Sequence, residues 1–161
     1  MPDDLRENEQ IVQLAPPSDG AVRYIGRIRT PWATRADCPR QGRFDGPDCR
    51  IAVDLAWQDA LDGLEAYDTV EVLYWLDQSR RDVTRQSPRS DGRTVGTFAL
   101  RSPVRPNPIG TSIVQLLRIE NGVLHVRGLD CVDGTPLIDL KPDRSVFVPK
   151  APEQPGDSQT A

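Results

Sequence analysis

Histidine and cysteine are scarce in this 161-residue chain, and their scarcity argues against several kinds of site. The single histidine, His125, does not favour a histidine-based metal site or a Ser-His-Asp triad. The cysteines are odd in number and widely spaced, at Cys38, Cys49 and Cys131, which fits neither a disulfide framework nor a zinc site. We therefore expect reduced thiols in a cytoplasmic protein, and no bound metal.

Long apolar runs and an excess of basic charge are also lacking. No stretch is long enough to span a bilayer, and no signal peptide is visible, so we expect no membrane partner. The net charge is −4, whereas a general nucleic-acid binder is usually basic. Any contact with RNA would therefore use a local positive patch. A Rossmann fingerprint and a P-loop are missing, which disfavours the common nucleotide sites.

The length fits one domain, flanked by two polar segments. Residues 1–20 are irregular and end in a Pro-Pro-Ser-Asp-Gly sequence, which indicates a flexible arm. Residues 149–161 are rich in Pro, Glu, Gln, Asp and Ser, which predicts a disordered tail. The folded domain is expected over residues 21–148.

Strand patterns dominate that domain. Period-two alternation and β-branched residues predict strands over 22–29, 50–55, 69–76, 94–100, 111–119, 123–129 and 136–140. Asn121-Gly122 between two apolar runs predicts a hairpin. Apolar residues at helical spacing predict one short helix over 56–64. The expected fold is therefore a mainly β, single-domain, closed or nearly closed barrel with one short helix and long functional loops.

The most informative segment is the run Arg101–Gly110, in which three prolines alternate with other residues. Proline fixes φ and removes an N–H donor, so this run cannot be helical and is held extended. Arg101 and Arg105 offer forked donors that suit a carboxylate or phosphate, and Asn107 offers both a donor and an acceptor. The alternative is a stiff connection whose arginines pair with nearby acids.

Asp133-Gly134 marks a tight turn in a second segment, residues 130–142, which holds three aspartates and Lys141. Acids so close to a turn could hold ribose hydroxyls or a cation. The alternative is an ordinary turn between strands with solvated acids.

Five arginines lie in a third segment, residues 77–93, and Arg85 and Arg89 are among them. Clustered arginine suits a phosphate backbone. The alternative is a solvated loop, because Asp82 and Asp91 dilute the positive charge.

Taken together, these segments resemble the TsaA-like family of tRNA methyltransferases. The resemblance is carried by the proline-arginine run Arg101–Gly110, by Asp133-Gly134-Thr135-Pro136, and by Asp139-Leu140-Lys141-Pro142. Pro39-Arg40-Gln41 resembles the Pro-Arg-Gln loop of that family, and residues 25–31 and 60–65 resemble its first strand and short helix. The resemblance covers about residues 22–143.

The resemblance implies a single-sheeted barrel that binds S-adenosyl-L-methionine and forms a homodimer. The implied reaction is methylation of N6 of a threonylcarbamoyl-modified adenosine beside the tRNA anticodon. Carried over by position, the implied cofactor contacts are Pro39, Arg40, Gln41, Asp77, Gln78, Arg101, Thr111, Asp133, Gly134, Thr135 and Pro136. The residues that we expect to contact the substrate are Arg85, Arg89, Arg105, Asn107 and Lys141.

Two departures from the family pattern lie on the expected substrate side. Asp77-Gln78 stands where the family usually has histidine and glutamine, and residues 84–89 replace a Val-Arg-Pro-Pro-Arg stretch. Asp77 is our candidate for the catalytic proton acceptor, and its alternative is an acid that pairs with Arg40 or Arg101. We also expect the chain to lack the additional C-terminal domain of longer family members.

Other functions stay open at this point. A methyltransferase of the same barrel could act on another, smaller substrate. A barrel could also bind S-adenosyl-L-methionine or a nucleotide without turnover, or serve only as a dimerising partner protein.

Overall fold

Within residues 4–145, the part of the chain that the computed structural model describes, six of the nine strands form a closed antiparallel barrel. The strands are β1 (Gln10–Ile11), β2 (Gly26–Arg29), β3 (Cys49–Val53), β4 (Thr69–Trp75), β5 (Val83–Gln86), β6 (Val95–Gly96), β7 (Ile109–Glu120), β8 (Val123–Arg127) and β9 (Pro136–Pro142). The barrel order is β2-β3-β8-β7-β4-β9, and β9 pairs back to β2. The mainly β barrel prediction is confirmed. The tail expected over 149–161 and the expected domain end at residue 148 lie outside the described residues.

The barrel interior is a packed core. Strand β4 alternates strictly, with Val70, Val72 and Tyr74 buried and the residues between them half-buried. This alternation follows from the pleat, which sends successive side chains to opposite faces of a sheet. Burial of each core aliphatic side chain contributes about 1.5–3 kcal/mol. The other fully buried large aliphatic side chains of the barrel strands are Ile28, Ile51, Val114, Leu124, Val126 and Leu137.

The hairpin prediction is also confirmed, since β7 and β8 join through Asn121-Gly122. Both turn residues have positive φ, 50° for Asn121 and 75° for Gly122. A two-residue turn of this kind matches the twist of the flanking strands, which is why Asn-Gly is favoured there.

The short helix lies where it is expected but has 3₁₀ geometry, over Leu55–Leu61, with a further 3₁₀ turn over Leu64–Ala66. Apolar residues three and four positions apart suit both an α-helix and a 3₁₀ helix, so this spacing does not distinguish the two. Gly63 stands between them at φ 90°, a left-handed conformation that glycine adopts without strain. No helix within residues 4–145 has the length and apolar character needed to cross a bilayer.

A small second sheet, in the order β1-β5-β6, corrects two of the expected strand assignments. β5 lies in a segment expected to be irregular, and β1 lies in the segment expected to be a flexible arm. The strand expected over 94–100 is only β6, because the chain turns into a 3₁₀ helix at Thr97–Ala99. That turn is fixed by Thr97 Oγ1, which donates a hydrogen bond to the Val83 carbonyl at 2.6 Å.

The loops that follow β2, β4 and β8 all leave the barrel at the same end. The strand registers show this. At that end of the barrel, the last residue of β4, Trp75, pairs with the first residue of β7, Ile109, and the first residue of β3, Cys49, pairs with Val126 near the end of β8. We call this end the loop rim. Segments that are far apart in the sequence therefore meet there. The loops of the rim are residues 30–48, 76–108 and 128–135.

Candidate functional site

Asp130 is the centre of a polar cluster at the loop rim. The Tyr74 hydroxyl donates a hydrogen bond to Asp130 Oδ1 at 3.0 Å and lies 2.8 Å from Ser112 Oγ. Ser112 Oγ is 3.5 Å from the same carboxylate oxygen. A Cβ at Gly110 would lie 2.3 Å from the Tyr74 ring, so the glycine that ends the proline-arginine run makes room for this tyrosine.

The loop that carries Pro39-Arg40-Gln41 is anchored beside Asp130 through its next residue. A Cβ at Gly42 would lie 1.8 Å from the Gly128 carbonyl oxygen, so only glycine allows this approach of the two backbones. The Gly42 backbone N–H interacts with the Asp130 carboxylate and lowers its pKa. Pro39, Arg40 and Gln41 themselves are exposed at the rim.

The Asp133–Pro136 turn is fastened to the end of β2. Asp133 Oδ1 accepts a hydrogen bond from the Thr30 backbone N–H at 3.1 Å, and its carboxylate lies 3.8 Å from Arg29. The Gly134 N–H donates to the Ile28 carbonyl at 2.8 Å, with Gly134 at φ 83°. Thr135 and Pro136 are buried, whereas Asp133 is exposed. The turn is therefore rigid, and its carboxylate faces solvent at the rim.

Burial controls the protonation of the Asp130 cluster. Desolvation raises the Asp130 pKa above its usual range, although the donors Tyr74, Gly42 and Ser112 oppose the shift. Desolvation, with the nearby Asp130 carboxylate, raises the pKa of the Tyr74 hydroxyl well above its usual value. Burial raises the pKa of Cys131 to about 12, and burial followed by the Asp130 charge raises that of Cys38. Both thiols are thus kept protonated and are poor nucleophiles at neutral pH.

Asp77 and Gln78 occupy an exposed turn directly after β4. The turn is closed by a hydrogen bond from the Ser79 N–H to the Leu76 carbonyl at 3.2 Å. It is tied to the proline-arginine run by a hydrogen bond from the Leu76 N–H to the Pro108 carbonyl at 2.8 Å. These two residues and the exposed Arg101 therefore belong to neighbouring segments of the rim.

Thr111 lies near the rim but on the outer face of the barrel. Its hydroxyl donates to Glu71 Oε1 at 3.0 Å. The adjacent Ser112 faces the interior with Tyr74, because successive residues of a strand point to opposite faces. The structure therefore does not bring the Thr111 side chain together with the Asp130 cluster.

Two of the expected substrate residues in the proline-arginine run have structural partners. Arg105 Nη1 donates to the Leu100 carbonyl at 2.6 Å and to the Ser102 carbonyl at 3.3 Å, so it closes its own loop. Asn107 Oδ1 accepts a hydrogen bond from Arg81 at 3.4 Å, and Arg81 Nε also donates to the Pro106 carbonyl. Arg105 thus stiffens its own loop, but through backbone carbonyls and not through the acids that the stiff-connection interpretation expected, while Arg101 is exposed.

The remaining expected substrate residues are dispersed. Arg85 lies on β5 and donates to the Oγ1 and carbonyl oxygen of Thr94 at 3.1 and 3.2 Å. Arg89 is exposed in the turn after β5. Lys141 pairs with Asp139 at 2.9 Å on the outer face of β9. Because β9 runs away from the rim, Lys141 lies roughly 17 Å along the strand from Pro136, and the structure does not bring it to the rim.

Sequence reasoning included Asp130 among the acids of the segment 130–142 but missed its partners Tyr74, Ser112 and Gly42. Tyr74 occupies an inward position in the period-two pattern of β4, yet a tyrosine there also suits an ordinary core. Asp130 follows directly after the apolar residues of the β8 region, and its place close to the Asp133-Gly134 turn was the signal that the sequence offered. Ser112 and Gly42 have no signal in a single sequence.

Two cavities in the described part of the chain lie at opposite ends of the barrel. A groove of about 730 Å³ lies at the opposite end of the barrel, lined by apolar residues that include Trp57, Leu64 and Tyr67. A cavity of about 140 Å³ lies at the rim, between the N-terminal segment and the proline-arginine run, and Arg6 and Pro103 are in its lining. The larger groove is distant from the polar cluster, so size alone does not identify the functional site.

Comparison with known proteins adds independent evidence. The sequence model of the family described as "tRNA-methyltransferase O N-terminal domain" matches residues 27–149. The chain is 53% identical over 148 residues to "Probable S-adenosyl-L-methionine-binding protein VirR" of Rhizobium radiobacter, covering 92% of this chain and 85% of that protein. It is 43% identical over 120 residues to an S-adenosyl-L-methionine-binding protein of Archaeoglobus fulgidus, covering 74% of this chain and 86% of the relative.

Solved structures that are similar to this chain include a member of the same family. The crystal structure of TrmO from Pseudomonas aeruginosa superposes with a TM-score of 0.69 at 31% sequence identity. The match covers 89% of this chain and 64% of that chain. The chain therefore spans less than two thirds of the length of that structure.

Proposed function

The chain belongs to the family of the tRNA-methyltransferase O N-terminal domain, and we propose from this premise that it is an S-adenosyl-L-methionine-dependent methyltransferase. Its proposed substrate is a threonylcarbamoyl-modified adenosine beside the tRNA anticodon, methylated at N6. The observation that carries the proposal is the convergence of the expected cofactor segments on the loop rim. The loop 39–41, the turn 77–78 and the turn 133–136 lie far apart in sequence, yet all leave the barrel at that end.

The chemistry of the rim suits this cofactor. The exposed guanidinium groups of Arg40 and Arg101 suit a carboxylate. The exposed carboxylates of Asp77 and Asp133 suit an ammonium group or ribose hydroxyls. The amide of Gln41, like that of Gln78, offers both a donor and an acceptor for the edge of an adenine ring. Every polar part of S-adenosyl-L-methionine thus has a matching group among the residues proposed to hold it.

When bound, the cofactor supplies a methyl group already activated by its positive sulfur. The chain's own task is to align the acceptor with that methyl group and to exclude water. Asp77 is proposed to accept the N6 proton, since it is exposed at the rim beside the start of β7. Arg89 is proposed to contact a phosphate group of the substrate, while Arg105 keeps the loop in shape.

Binding and turnover test this proposal separately. Calorimetry should show S-adenosyl-L-methionine binding to the wild type and weaker binding to Arg40→Ala. The matched control is Arg43→Ala, which removes an exposed arginine of the same loop that pairs with Asp45 at 2.9 Å. Absence of binding by the wild type would overturn the proposal.

Mass spectrometry of tRNA from a deletion strain tests the reaction. Loss of the N6-methylated, threonylcarbamoyl-modified nucleoside is expected, together with its restoration by the purified protein. Asp77→Asn should lose turnover even at saturating S-adenosyl-L-methionine, because an amide does not accept the N6 proton. Unchanged nucleoside levels in the deletion strain would exclude the tRNA substrate.

A second candidate substrate is a smaller modified nucleoside. The Arg85 guanidinium is held by Thr94, so it is less available to a phosphate of tRNA. The net charge of −4 also disfavours binding of a polyanion, and both features favour a smaller substrate. Methyl transfer to a free nucleoside at a rate equal to that on tRNA would support this candidate over the first. Binding of the cofactor with no transfer to either acceptor would indicate a non-catalytic binding module.

We also propose that the chain forms a homodimer through the outer face of β4 and β7. Ile109 and Ile113 are 41% and 37% exposed on this face. Trp75 lies beside them, with the Arg81 guanidinium 5.6 Å above its ring. These exposed isoleucines lie on either side of Thr111 on one strand face, and a second copy of the chain would cover them.

A further inference from the structure

One carboxylate contacts the elements that carry the proposed cofactor residues. Tyr74 belongs to β4, which leads directly into Asp77-Gln78. Ser112 follows the proline-arginine run, which carries Arg101. Both side chains reach Asp130 Oδ1, at 3.0 and 3.5 Å. Asp130 itself lies three residues before the Asp133–Pro136 turn.

The loop that carries Arg40 and Gln41 depends on the same residue. The Gly42 N–H faces the Asp130 carboxylate and lowers its pKa, while the missing side chain of Gly42 lets the loop rest on the Gly128 carbonyl. The loop contains one short 3₁₀ turn, Arg35–Asp37, and no strand between Arg29 and Cys49. Its position at residues 39–42 is therefore fixed by these few contacts.

We propose that Asp130 is the positioning residue that joins the walls of the cofactor site. This inference rests on the proposed function. Asp130 acts through the Gly42 backbone, Tyr74 and Ser112, and it needs no contact with the cofactor. Its carboxylate is suited to this task because it has two acceptor oxygens with about four lone-pair sites, so that one residue can hold several donors at once.

The surroundings of Asp130 explain why its charge state matters. The donors that reach it are neutral: a phenol, a hydroxyl and a backbone amide. The other titratable groups that face it are the thiols of Cys38 and Cys131, and the pKa of each is raised. Acid therefore protonates Asp130 itself, and the protonated carboxyl loses one acceptor. The loop at residues 39–42 should loosen as the pH falls through this transition.

Asp130→Asn provides the main test. An amide keeps one acceptor oxygen and replaces the other with a donor, so the Kd for S-adenosyl-L-methionine should rise by about tenfold or more, as for loss of a hydrogen bond to a charged group. Wild-type affinity should fall on acidification, and the variant should lack that step in its pH profile. The matched control is Asp45→Asn, which removes a solvent-exposed carboxylate from the same loop and should keep the wild-type Kd within about twofold.

Hydrogen–deuterium exchange without any ligand tests the positioning directly. The backbone amides of Arg40, Gln41 and Gly42 should exchange faster in Asp130→Asn than in the wild type or in Asp45→Asn. Tyr74→Phe and Ser112→Ala each remove one hydroxyl and should give smaller increases. These milder variants also keep the proposal testable if Asp130→Asn does not fold.

The outcomes separate this inference from the proposed function. Unchanged exchange at residues 40–42 in a folded Asp130→Asn protein would overturn the positioning role. An unchanged Kd would overturn it as well. If the wild type does not bind S-adenosyl-L-methionine, the proposed function fails, and the exchange experiment alone decides whether Asp130 holds the loop.

Discussion

The absence of a side chain at Gly42 lets the loop at residues 39–42 pack against the Gly128 backbone at the rim. The Gly42 Cα faces the Gly128 carbonyl so closely that an added methyl group would have to move backbone rather than a flexible side chain. We expect Gly42→Ala to lower the free energy of unfolding by about 1–3 kcal/mol, the usual cost of overpacking. Urea denaturation measures this loss. Gly96→Ala is the control, because a Cβ there meets nothing within 4 Å, and a loss of equal size in both variants would contradict the steric argument.

Asp130 should also make stability depend on pH. Burial raises its pKa in the folded state above the ordinary value of 3.8, so folding as a whole favours the protonated carboxyl, although the Gly42 contact by itself favours the charged form. The contribution of this group is therefore fully present below the unfolded pKa and is lost as the pH rises through the folded pKa. Relative to Asp130→Asn, the wild type should gain free energy of unfolding as the pH is lowered from 7 towards 4. Denaturation at a series of pH values checks this, and parallel curves for the two proteins would refute it.

At the scale of elements, β1 extends the small sheet beside the rim. Gln10 pairs with Arg85 in β5, and the Val12 N–H donates to the Asp82 carbonyl at 2.8 Å. Glu9 Oε1 accepts a hydrogen bond from the Ser87 N–H at 2.8 Å. Ser87 is fully buried under this segment. The N-terminal residues therefore protect the edge of β5, although the family match begins only at residue 27.

Glu9→Ala should open that edge. Loss of the carboxylate leaves the Ser87 N–H without its acceptor, which costs about 1–3 kcal/mol for a buried donor. We expect faster hydrogen–deuterium exchange at residues 83–87, with unchanged S-adenosyl-L-methionine affinity. Glu7→Ala is the matched control, since Glu7 is an exposed carboxylate two residues before Glu9. Equal exchange in the two variants would show that Glu9 does not secure β5.

The success of prediction differed between elements for physical reasons. The strands β4, β7 and β8 were predictable because each buries one face, which imposes alternation on the sequence. β1 and β5 were not, since β5 buries only its first and last residues, Val83 and Gln86. The latter is a buried polar residue whose amide donates to the Val104 carbonyl at 2.8 Å. A short edge strand of this kind has no period to detect.

The candidate site was predictable only in part, and only through motifs. The resemblance supplied Pro39-Arg40-Gln41 and the Asp133–Pro136 turn, and the barrel brings both to the rim. It could not supply the Asp130 cluster, because Tyr74 and Ser112 become neighbours only when β4 and β7 pair in register. Nor could it show that Lys141 lies far along β9, since sequence proximity to a motif does not give direction along a strand.

At the scale of the whole molecule, the exposed Ile109 and Ile113 on the outer face of β7 predict assembly. Ile113→Asp places a charge at the centre of the outer face without touching the barrel core, so it should shift a dimer to a monomer while the thermal midpoint changes little. Analytical ultracentrifugation measures the mass. Leu55→Asp is the control, because Leu55 is 84% exposed at the opposite end of the barrel. A wild type that sediments as a monomer at high concentration would refute the homodimer.

The net charge of −4 also sets a condition on tRNA binding. An acidic protein can hold a polyanion only through a local cluster of cations, so the affinity should fall steeply with added salt. Arg89 is exposed at the rim, and Arg89→Ala should reduce the slope of log K against log salt by about one phosphate contact. Arg118 pairs with Glu120 at 3.2 Å near the opposite end of the barrel. If RNA binds at the rim, Arg118→Ala leaves that slope unchanged, and an equal reduction in both variants would indicate diffuse contact instead.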